Sequence, residues 1–334
     1  MKFVPVVIPT LNRVNHLSRC IMSLADNYGA DNTDLIISLD YPPDEKYFEG
    51  YNEVKDFLSE DGWKQKFKSV QVIIQEKNLG PNKNILYLYE IAEKQCDCCI
   101  FTEDDNVFST NFLLYVNKGL GIFKDDERVL GICGRKEVEW KAKKDDTVTA
   151  SKIFPGYGVG IWFEKEKRLA NEAKRLLLKK ESFSFDNLMR LRKRNKVLFN
   201  KYVLSVLINR KKPFWVDGEL AMIDTTRAIY MYYTDHFCIV PITSKSDTRG
   251  DDGSGVNMKK ENYNLKVHSF PLDRSNVSDI IINGKCIEGQ DDYNPNDLIY
   301  NSDNDILVEE YMKSVSNWRS DIKALVCAVY LQIR

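Results

Sequence analysis

Short apolar runs alternate with apolar residues at helical spacing through roughly the first 135 residues of the chain. Runs of about four to eight apolar residues predict buried strands, and apolar residues three or four positions apart predict helices. Strands that alternate with helices are typical of a mostly parallel sheet with helices on its faces, so we predict an α/β fold of this kind. The predicted strands cover 3–8, 34–39, 70–75, 98–102 and 129–133, and the predicted helices cover 14–24, 52–58, 82–93 and 110–119.

The pattern changes in the second half of the chain. It predicts long helices between 164 and 212, a helix over 219–233, a strand over 237–241, a loop over 244–258 and an amphipathic helix near 306–332. The chain between the last loop and the last helix is polar and irregular. We therefore predict one domain over 1–260, with a helical insertion at 164–212, and a C-terminal extension over 261–334.

Composition and charge exclude several classes of protein. Of the 334 residues, 43% are hydrophobic and 29% are charged, which is enough to bury a sizeable core. The formal net charge of −1 argues against a protein that binds nucleic acid through its overall charge. No apolar run approaches the ~18 residues that a membrane span needs. The apolar start at 3–8 lacks the features of a signal peptide, so we expect a cytoplasmic protein.

The segment 165–212 is strongly basic, with 16 Lys or Arg residues and 4 acidic ones, a local charge of 16 − 4 = +12. Such a run usually forms a solvated helical face. A basic surface also attracts anionic lipid head groups or an acidic acceptor, so peripheral contact with the inner face of the membrane is the alternative interpretation.

Acidic residues follow two of the predicted strands. Glu103, Asp104 and Asp105 come directly after the strand at 98–102, and Asp40 ends an earlier strand. Because adjacent like charges repel, the triple-acid cluster gains nothing without a counter-charge. Mn²⁺ and Mg²⁺ prefer oxygen ligands, usually one or two carboxylates with substrate phosphates. We therefore predict metal or donor binding at this sheet edge, where ligands of open α/β sheets bind; turns and helix caps are the alternative roles.

Two later segments add candidate chemistry. The run 250–255 is rich in Gly and Ser, so its backbone N–H groups could approach phosphate oxygens and Ser254 could donate a hydroxyl, although such runs are also plain linkers. Asp217 follows Phe214-Trp215, and a carboxylate beside a large aromatic suits a general base for a sugar hydroxyl. Its alternative role is the N-cap of the following helix, and Asp224 is a second candidate for the base.

Together these segments resemble the nucleotide-sugar glycosyltransferases of the GT-A fold, above all the N-acetylglucosaminyltransferase I type and its bacterial relatives. In chain order, 7–13 resembles the first strand and nucleotide-binding turn, 37–40 the strand whose Asp contacts the uracil, 103–105 the EDD form of the DxD motif, 154–158 the FPGxGW segment, 214–217 the FWDD segment, 241–244 the closing PxxS segment and 253–257 the phosphate-covering loop. Two positions depart from the family pattern: Val159 replaces the Trp of FPGxGW, and Val216 replaces the first Asp of FWDD.

The resemblance implies an inverting, metal-assisted transfer of a sugar from a UDP-linked donor to a glycan or lipid-linked acceptor, as in surface polysaccharide biosynthesis. It assigns donor binding to 1–135 and acceptor binding to 136–260. The implied roles are binding of Mn²⁺ or Mg²⁺ by Asp105, contact with the donor sugar and ribose by Glu103 and Asp104, contact with the nucleotide by Thr10, Asn12, Arg13, Asp40 and Asn82, closure over the phosphates by Ser254, and general-base catalysis by Asp217 or Asp224.

Two other classes of protein remain open. A metal-dependent sugar-phosphate nucleotidyltransferase would carry a Gly-rich basic loop after its first strand, and 9–13 contains no glycine. A non-catalytic glycan-binding protein would not need three adjacent acids. A Lys or Arg paired with Asp105 in place of an ion would count against an enzyme.

Overall fold

The computed structural model describes most of the chain. The described residues are 2–177, 184–204, 215–216, 219–220, 224–250, 252, 270–275, 278–304, 306–307 and 318–330.

An eight-stranded mixed sheet forms the centre of the fold, in the order β3-β2-β1-β4-β8-β6-β11-β7. Its strands are β1 (Val6–Thr10), β2 (Asp34–Leu39), β3 (Ser69–Ile74), β4 (Cys98–Phe101), β6 (Val129–Cys133), β7 (Val148–Ser151), β8 (Val159–Trp162) and β11 (Phe237–Pro241). Six strands run in one direction, while β8 and β7 are antiparallel to their neighbours. This arrangement confirms the predicted fold class, a mostly parallel sheet consistent with the GT-A fold.

Three two-stranded pairs accompany the sheet. They are β5 (Asn106–Phe108) with β12 (Ser246–Thr248), β9 (Trp215–Val216) with β10 (Glu219–Leu220), and β13 (Ile280–Ile282) with β14 (Lys285–Ile287). Two predictions were wrong here: Glu219–Leu220 is a strand and not the start of a helix, and Ser246–Thr248 is a strand within the predicted loop. The segment predicted to be irregular contains the β13–β14 hairpin, which turns at Asn283-Gly284, both with positive φ.

Helices cover both faces of the sheet. They are α1 (Val14–Ala25), α2 (Phe48–Ser59), α3 (Gly80–Glu93), α4 (Phe112–Ile122), α5 (Phe163–Leu177), α6 (Phe185–Arg194), α7 (Lys196–Lys201), α8 (Asp224–Tyr233) and α9 (Trp318–Tyr330). No helix in the described part of the chain is both long and apolar enough to cross a bilayer.

The alternation of side chains along β1 shows how the sheet separates two apolar cores. Val6 and Ile8 belong to the core that α1, α2 and α4 form on one face. Val7 belongs to the core that α3 and α5 to α9 form on the other face. Successive strand residues point to opposite faces, so a strand buried on both faces must be apolar throughout. This requirement explains the apolar runs Val6–Ile8 in β1 and Leu35–Ile37 in β2.

Helix α4 packs so closely on the sheet that Gly119 leaves no space for a side chain. A Cβ on Gly119 would lie 2.7 Å from Cγ2 of Ile132, whereas a Cβ on Gly121 would meet nothing within 4 Å. We expect Gly119→Ala to lower the free energy of unfolding by about 1–3 kcal/mol, because overpacking forces helix and sheet apart. Gly121→Ala should raise it by up to about 1 kcal/mol, because alanine is the better helix former. Urea unfolding of the two variants measures both values, and an equal effect would contradict the close packing.

Candidate functional site

The predicted acids lie at a change of direction in the order of the strands. Strands β1 and β4 are parallel neighbours, while β2 flanks β1 on its other side. Asp104 and Asp105 follow β4, and Thr10 ends β1, so all three stand at the same edge of the sheet. Ligands of open α/β sheets bind at such an edge, beside the point where the strand order reverses.

Arg13 joins the two carboxylates. It precedes α1, and its Nη1 lies 2.9 Å from Oδ2 of Asp105, while its Nη2 donates to Oδ1 of Asp104. Thr10 Oγ1 donates to the other oxygen of Asp104 at 2.8 Å. Asp104 and Asp105 are only 5% and 6% exposed, so two buried acids share one guanidinium as their counter-charge.

This arrangement shifts the pKa of three groups. Burial raises the pKa of the Asp104 carboxyl and outweighs the opposing effect of Arg13 and Thr10. Burial lowers the pKa of Arg13, but Asp104 and Asp105 together raise it above its ordinary value. Burial, reinforced by the same two acids, raises the pKa of the Cys20 thiol well above its usual range. Burial thus opposes the charged form of Asp104, while the two acids together stabilise the charged form of Arg13.

A later part of the chain closes against Asp105. Strand β12 pairs with β5, and the backbone N–H of Arg249 donates to the carbonyl of Asp105 at 2.8 Å. A Cβ on Gly250 would collide with the Asp105 carboxylate, so glycine is required for this approach. His16 Nε2 is hydrogen-bonded to Asp252 Oδ2 at 2.8 Å and ties the same segment to α1. The beginning of the predicted Gly-rich loop thus lies beside the acids.

Asp105 suits a hard cation in one respect. Its Oδ1 is buried and has no hydrogen-bond partner among the described residues. No group of three or more His, Cys, Asp or Glu side chains in the described ranges could hold a metal by itself. Mg²⁺ typically binds through one or two carboxylates together with substrate phosphates, so a single carboxylate with an unused oxygen fits this kind of site.

The Asp40 carboxylate, predicted to contact a nucleotide, accepts hydrogen bonds from backbone N–H groups of its own chain. Its Oδ1 accepts from the backbone N–H groups of Tyr41 at 2.9 Å and Leu79 at 2.8 Å, and its Oδ2 accepts from that of Gly80 at 2.8 Å. Asn78 Nδ2 adds a longer bond of 3.3 Å. Asp40 therefore anchors the start of α3 to the end of β2, and contact with a nucleotide stays a prediction.

For the other predicted site residues, the structure shows only their position in the fold or their exposure. Glu103 is exposed beside the buried acids, and Asn12 and Asn82 are half-buried in the first turns after β1 and at the start of α3. Asp224 is the first residue of α8. Asp217 and Ser254 lie outside the described residues.

The sequence model of glycosyl transferase family 2 matches residues 6–195, which is more than half of the chain. The chain belongs to this family. The matched region includes both strand ends and the acids described above. We stated above that an Arg paired with Asp105 would count against an enzyme. Arg13 does pair with Asp105, but the family match indicates a glycosyltransferase, so this criterion was wrong. The narrower resemblance to the N-acetylglucosaminyltransferase I type stays a prediction.

Two solved structures illustrate what this family 2 chain is similar to. The mannosyltransferase PcManGT from Pyrobaculum calidifontis, in complex with GDP-Man and Mn²⁺, is 16% identical, with 50% of this chain and 46% of that chain covered and a TM-score of 0.35. S. aureus TarS 1-349 in complex with UDP-GlcNAc is 17% identical, with 48% and 45% covered and a TM-score of 0.31. The alignment therefore spans about half the length of each. No curated protein matches the sequence.

Sequence reasoning missed a buried ion network beside the acids of this family 2 chain. Arg135 is 1% exposed, and its Nη1 donates to Glu137 Oε1 at 3.0 Å while its Nε lies 3.5 Å from Asp247 Oδ1. Its guanidinium also covers the ring of Tyr157, with 4.5 Å to the ring centroid. Tyr157 belongs to the FPGxGW-like segment, so this network connects that segment to β12.

The network continues to the acids. Arg249 Nη1 lies 3.3 Å from Asp247 Oδ2, and the backbone of the same Arg249 binds the carbonyl of Asp105. A buried guanidinium thus fixes the strand that closes against Asp105. No sequence signal identifies Arg135, because its partner Asp247 is distant in the chain and meets it only in the fold.

Replacing Arg135 should destabilise the fold strongly. In Arg135→Met, Glu137 and Asp247 lose a buried counter-charge, so we expect a loss of about 3–5 kcal/mol in the free energy of unfolding. Arg168→Met is the matched control, because its ion pair with Glu127 is exposed and should contribute about 1 kcal/mol or less. Urea unfolding compares the variants, and equal losses would show that the Arg135 network contributes no more than a surface pair.

Proposed function

We propose that the chain is an inverting glycosyltransferase that moves a sugar from a nucleotide diphosphate sugar, expected to be UDP-linked, to a hydroxyl group. Membership of family 2 supports glycosyl transfer. The observation that carries the donor class is the buried pair Asp104 and Asp105 beside the carboxyl ends of β1 and β4. Ligands of open α/β sheets bind at this position.

The local charge favours a divalent cation as part of the site. When both acids are ionised they outweigh Arg13, and a donor diphosphate would add further negative charge. The unpartnered Oδ1 of Asp105 suits Mn²⁺ or Mg²⁺, so we assign the metal to this residue. When bound, the ion would supply charge neutralisation for the departing nucleotide diphosphate.

The residues around the acids would position the donor. Asp104 is held at both oxygens by Thr10 and Arg13, and the remaining lone pairs could accept from ribose or sugar hydroxyls. Arg13 has five N–H donors, so it can contact a phosphate and still retain its ion pairs. We propose that Glu103, exposed at the same turn, faces the sugar and that Ser254 covers the phosphates.

Inversion requires a base that takes the proton from the acceptor hydroxyl as it attacks the anomeric carbon. We propose Asp217 for this role, with Asp224 as the second candidate. Asp217 and Gly218 are the two residues between β9 and β10, which pair as antiparallel strands. In the sequence Asp217 follows Phe214-Trp215, and a carboxylate beside a large aromatic residue suits a general base for a sugar hydroxyl.

The proposal also names a class of acceptor and a location in the cell. We propose a glycan or lipid-linked acceptor in surface polysaccharide biosynthesis, and action in the cytoplasm at the inner face of the membrane. The basic helices between 164 and 212 support a membrane-associated or anionic acceptor, because cationic helices attract anionic head groups.

The metal assignment is tested by ligand-dependent stability. A thermal-shift screen of nucleotide sugars, each with and without Mn²⁺, should give a metal-dependent rise for one donor, because a ligand stabilises the folded state by RT ln(1 + [L]/Kd). Asp105→Asn should remove the metal-dependent part and weaken donor binding at least about tenfold. The matched control is Asp61→Asn, because Asp61 is an exposed acid in the loop after α2. A full metal-dependent rise in Asp105→Asn would contradict the assignment.

The base assignment is tested by kinetics. Asp217→Asn should lower kcat by about 10²–10⁴-fold, the usual effect of losing a general base, while donor affinity stays near that of the unmodified protein. Single-turnover rates with a saturating donor separate the two quantities. Normal turnover in Asp217→Asn together with a loss in Asp224→Asn would transfer the role to Asp224, and normal turnover in both would exclude both residues.

A further inference from the structure

Two thiols lie side by side at the start of β4. Cys98 is the first residue of this strand, Cys96 precedes it by two positions, and both side chains are half-buried. The Cys98 thiol is hydrogen-bonded to Cys96, so the two sulfur atoms are neighbours. Successive strand residues point to opposite faces, and Cys99 is accordingly fully buried in the core on the other face. Cys96 and Cys98 therefore form a pair that does not include Cys99.

The backbone allows a bond between the two sulfur atoms. The chain bends at Asp97, whose carbonyl accepts from the backbone N–H of Phe163 at 3.0 Å, and Cys98 then pairs with Trp162 of β8. An extended strand separates the Cα atoms of residues i and i+2 by about 6.6 Å, and disulfides span about 4.4–6.8 Å. Because a bend shortens this separation, a disulfide between Cys96 and Cys98 is sterically accessible.

The pair lines an open cavity of about 570 Å³. The cavity lies at the amino ends of β1 and β4, whereas Asp104 and Asp105 follow the carboxyl end of β4. Val4, Leu120 and Trp162 contribute apolar surface to it. Cavities of about 300–1,000 Å³ hold small molecules, so a small molecule can reach both thiols from solvent, at the end of the sheet opposite the acids.

The rim of this cavity is mainly cationic. The lysines that line it are all exposed: Lys2, Lys94 and Lys124. Among the described residues that line it, the acids are Glu93 and Asp97, and Glu93 is paired with Lys167. Positive charge at the mouth of a cavity raises the local concentration of anions. The cavity therefore suits a small molecule that carries carboxylates.

We propose that Cys96 and Cys98 form a site of thiol–disulfide exchange with a small disulfide that carries carboxylates and enters this cavity. The site would alternate between a dithiol and a disulfide. Disulfides that are exposed to solvent are labile and regulatory, in contrast to buried structural ones. This site does not depend on the proposed transfer reaction or on its donor.

The two cysteines would act in a fixed order. Burial, reinforced by Cys96, raises the pKa of Cys98 to about 12, so Cys98 keeps its proton and Cys96 is the sulfur that attacks first. Attack by the Cys96 thiolate forms a mixed disulfide and releases one half of the small disulfide as a thiol. Cys98 then loses its proton and attacks the Cys96 sulfur, which releases the other half. The protein loses two hydrogens and two electrons, and the small disulfide is reduced to two thiols.

Reaction of the reduced full chain with oxidised glutathione tests the proposal. Mass spectrometry of alkylated peptides should show Cys96 linked to Cys98. Cys98→Ser should instead keep one glutathione on Cys96, because the second attack is lost. Cys96→Ser should react at residue 98 at least about tenfold more slowly than Cys98→Ser reacts at residue 96, because exchange needs the thiolate. Cys286→Ser, at an exposed cysteine of β14, is the matched control and should form the link at the normal rate.

The cationic rim is tested with two disulfides of different charge. Lys2→Gln with Lys94→Gln should slow the reaction with oxidised glutathione about threefold or more, and should leave the reaction with the neutral bis(2-hydroxyethyl) disulfide unchanged. Lys55→Gln with Lys66→Gln, at exposed lysines outside the cavity, is the matched control and should change neither rate.

Three results would overturn the proposal. They are modification of Cys286 without modification of Cys96 or Cys98, a mixed disulfide on Cys96 that never gives the link to Cys98, and equal slowing of both small disulfides by the change at Lys2 and Lys94. Circular dichroism should be unchanged in every variant, which separates a lost reaction from lost folding. The reaction needs no nucleotide sugar, so its failure would leave the proposed glycosyl transfer untouched.

Discussion

The ion pairs of Arg13 with Asp104 and Asp105 are the interaction on which the rest of the site depends. Two buried acids on consecutive residues repel each other, and a buried acid without a counter-charge is costly. Arg13 lies at the start of α1, whereas the acids lie between β4 and β5, so their pairing fixes the relative position of two chain segments. The turn after β1, the start of α1 and the strand that closes over Asp105 all take their places around this cluster.

One guanidinium cannot fully neutralise two carboxylates, and this imbalance links the stability of the cluster to its proposed chemistry. Arg13 holds the acids in place, and Thr10 fixes the second oxygen of Asp104. Asp105 retains an oxygen without a protein donor. If the proposed donor binds here, the site is organised before the donor arrives, and Asp105 still has an oxygen for the proposed cation. Such preorganisation is valuable because no rearrangement is then needed when charge develops on the leaving group.

The parts that could be predicted from the sequence are those where local pattern and fold agree. Strand β2 was predicted with its observed bounds, because a strand buried on both faces is mostly apolar, as Leu35–Ile37 and Leu39 are. The β13–β14 hairpin also carries a local signal, Asn283-Gly284, which the sequence reasoning did not use. The acids at 103–105 were recognised by their position after a strand. The partners of Asp105 could not be, because Arg13 and Arg249 come from distant parts of the chain, and charge alone does not reveal which pairs meet in the fold.

The same limitation applies to the basic segment. Counting charges treats α5 and α6 alike, yet Lys165 of α5 is used within the core, whereas Arg190, Lys193 and Arg194 of α6 are exposed. The core on one face of the sheet contains the buried side of α6, whereas α1 packs into the core on the other face. The exposed cations of α6 therefore belong to a helix on the face of the sheet opposite α1, and only the fold, not the count of charges, separates them from Lys165.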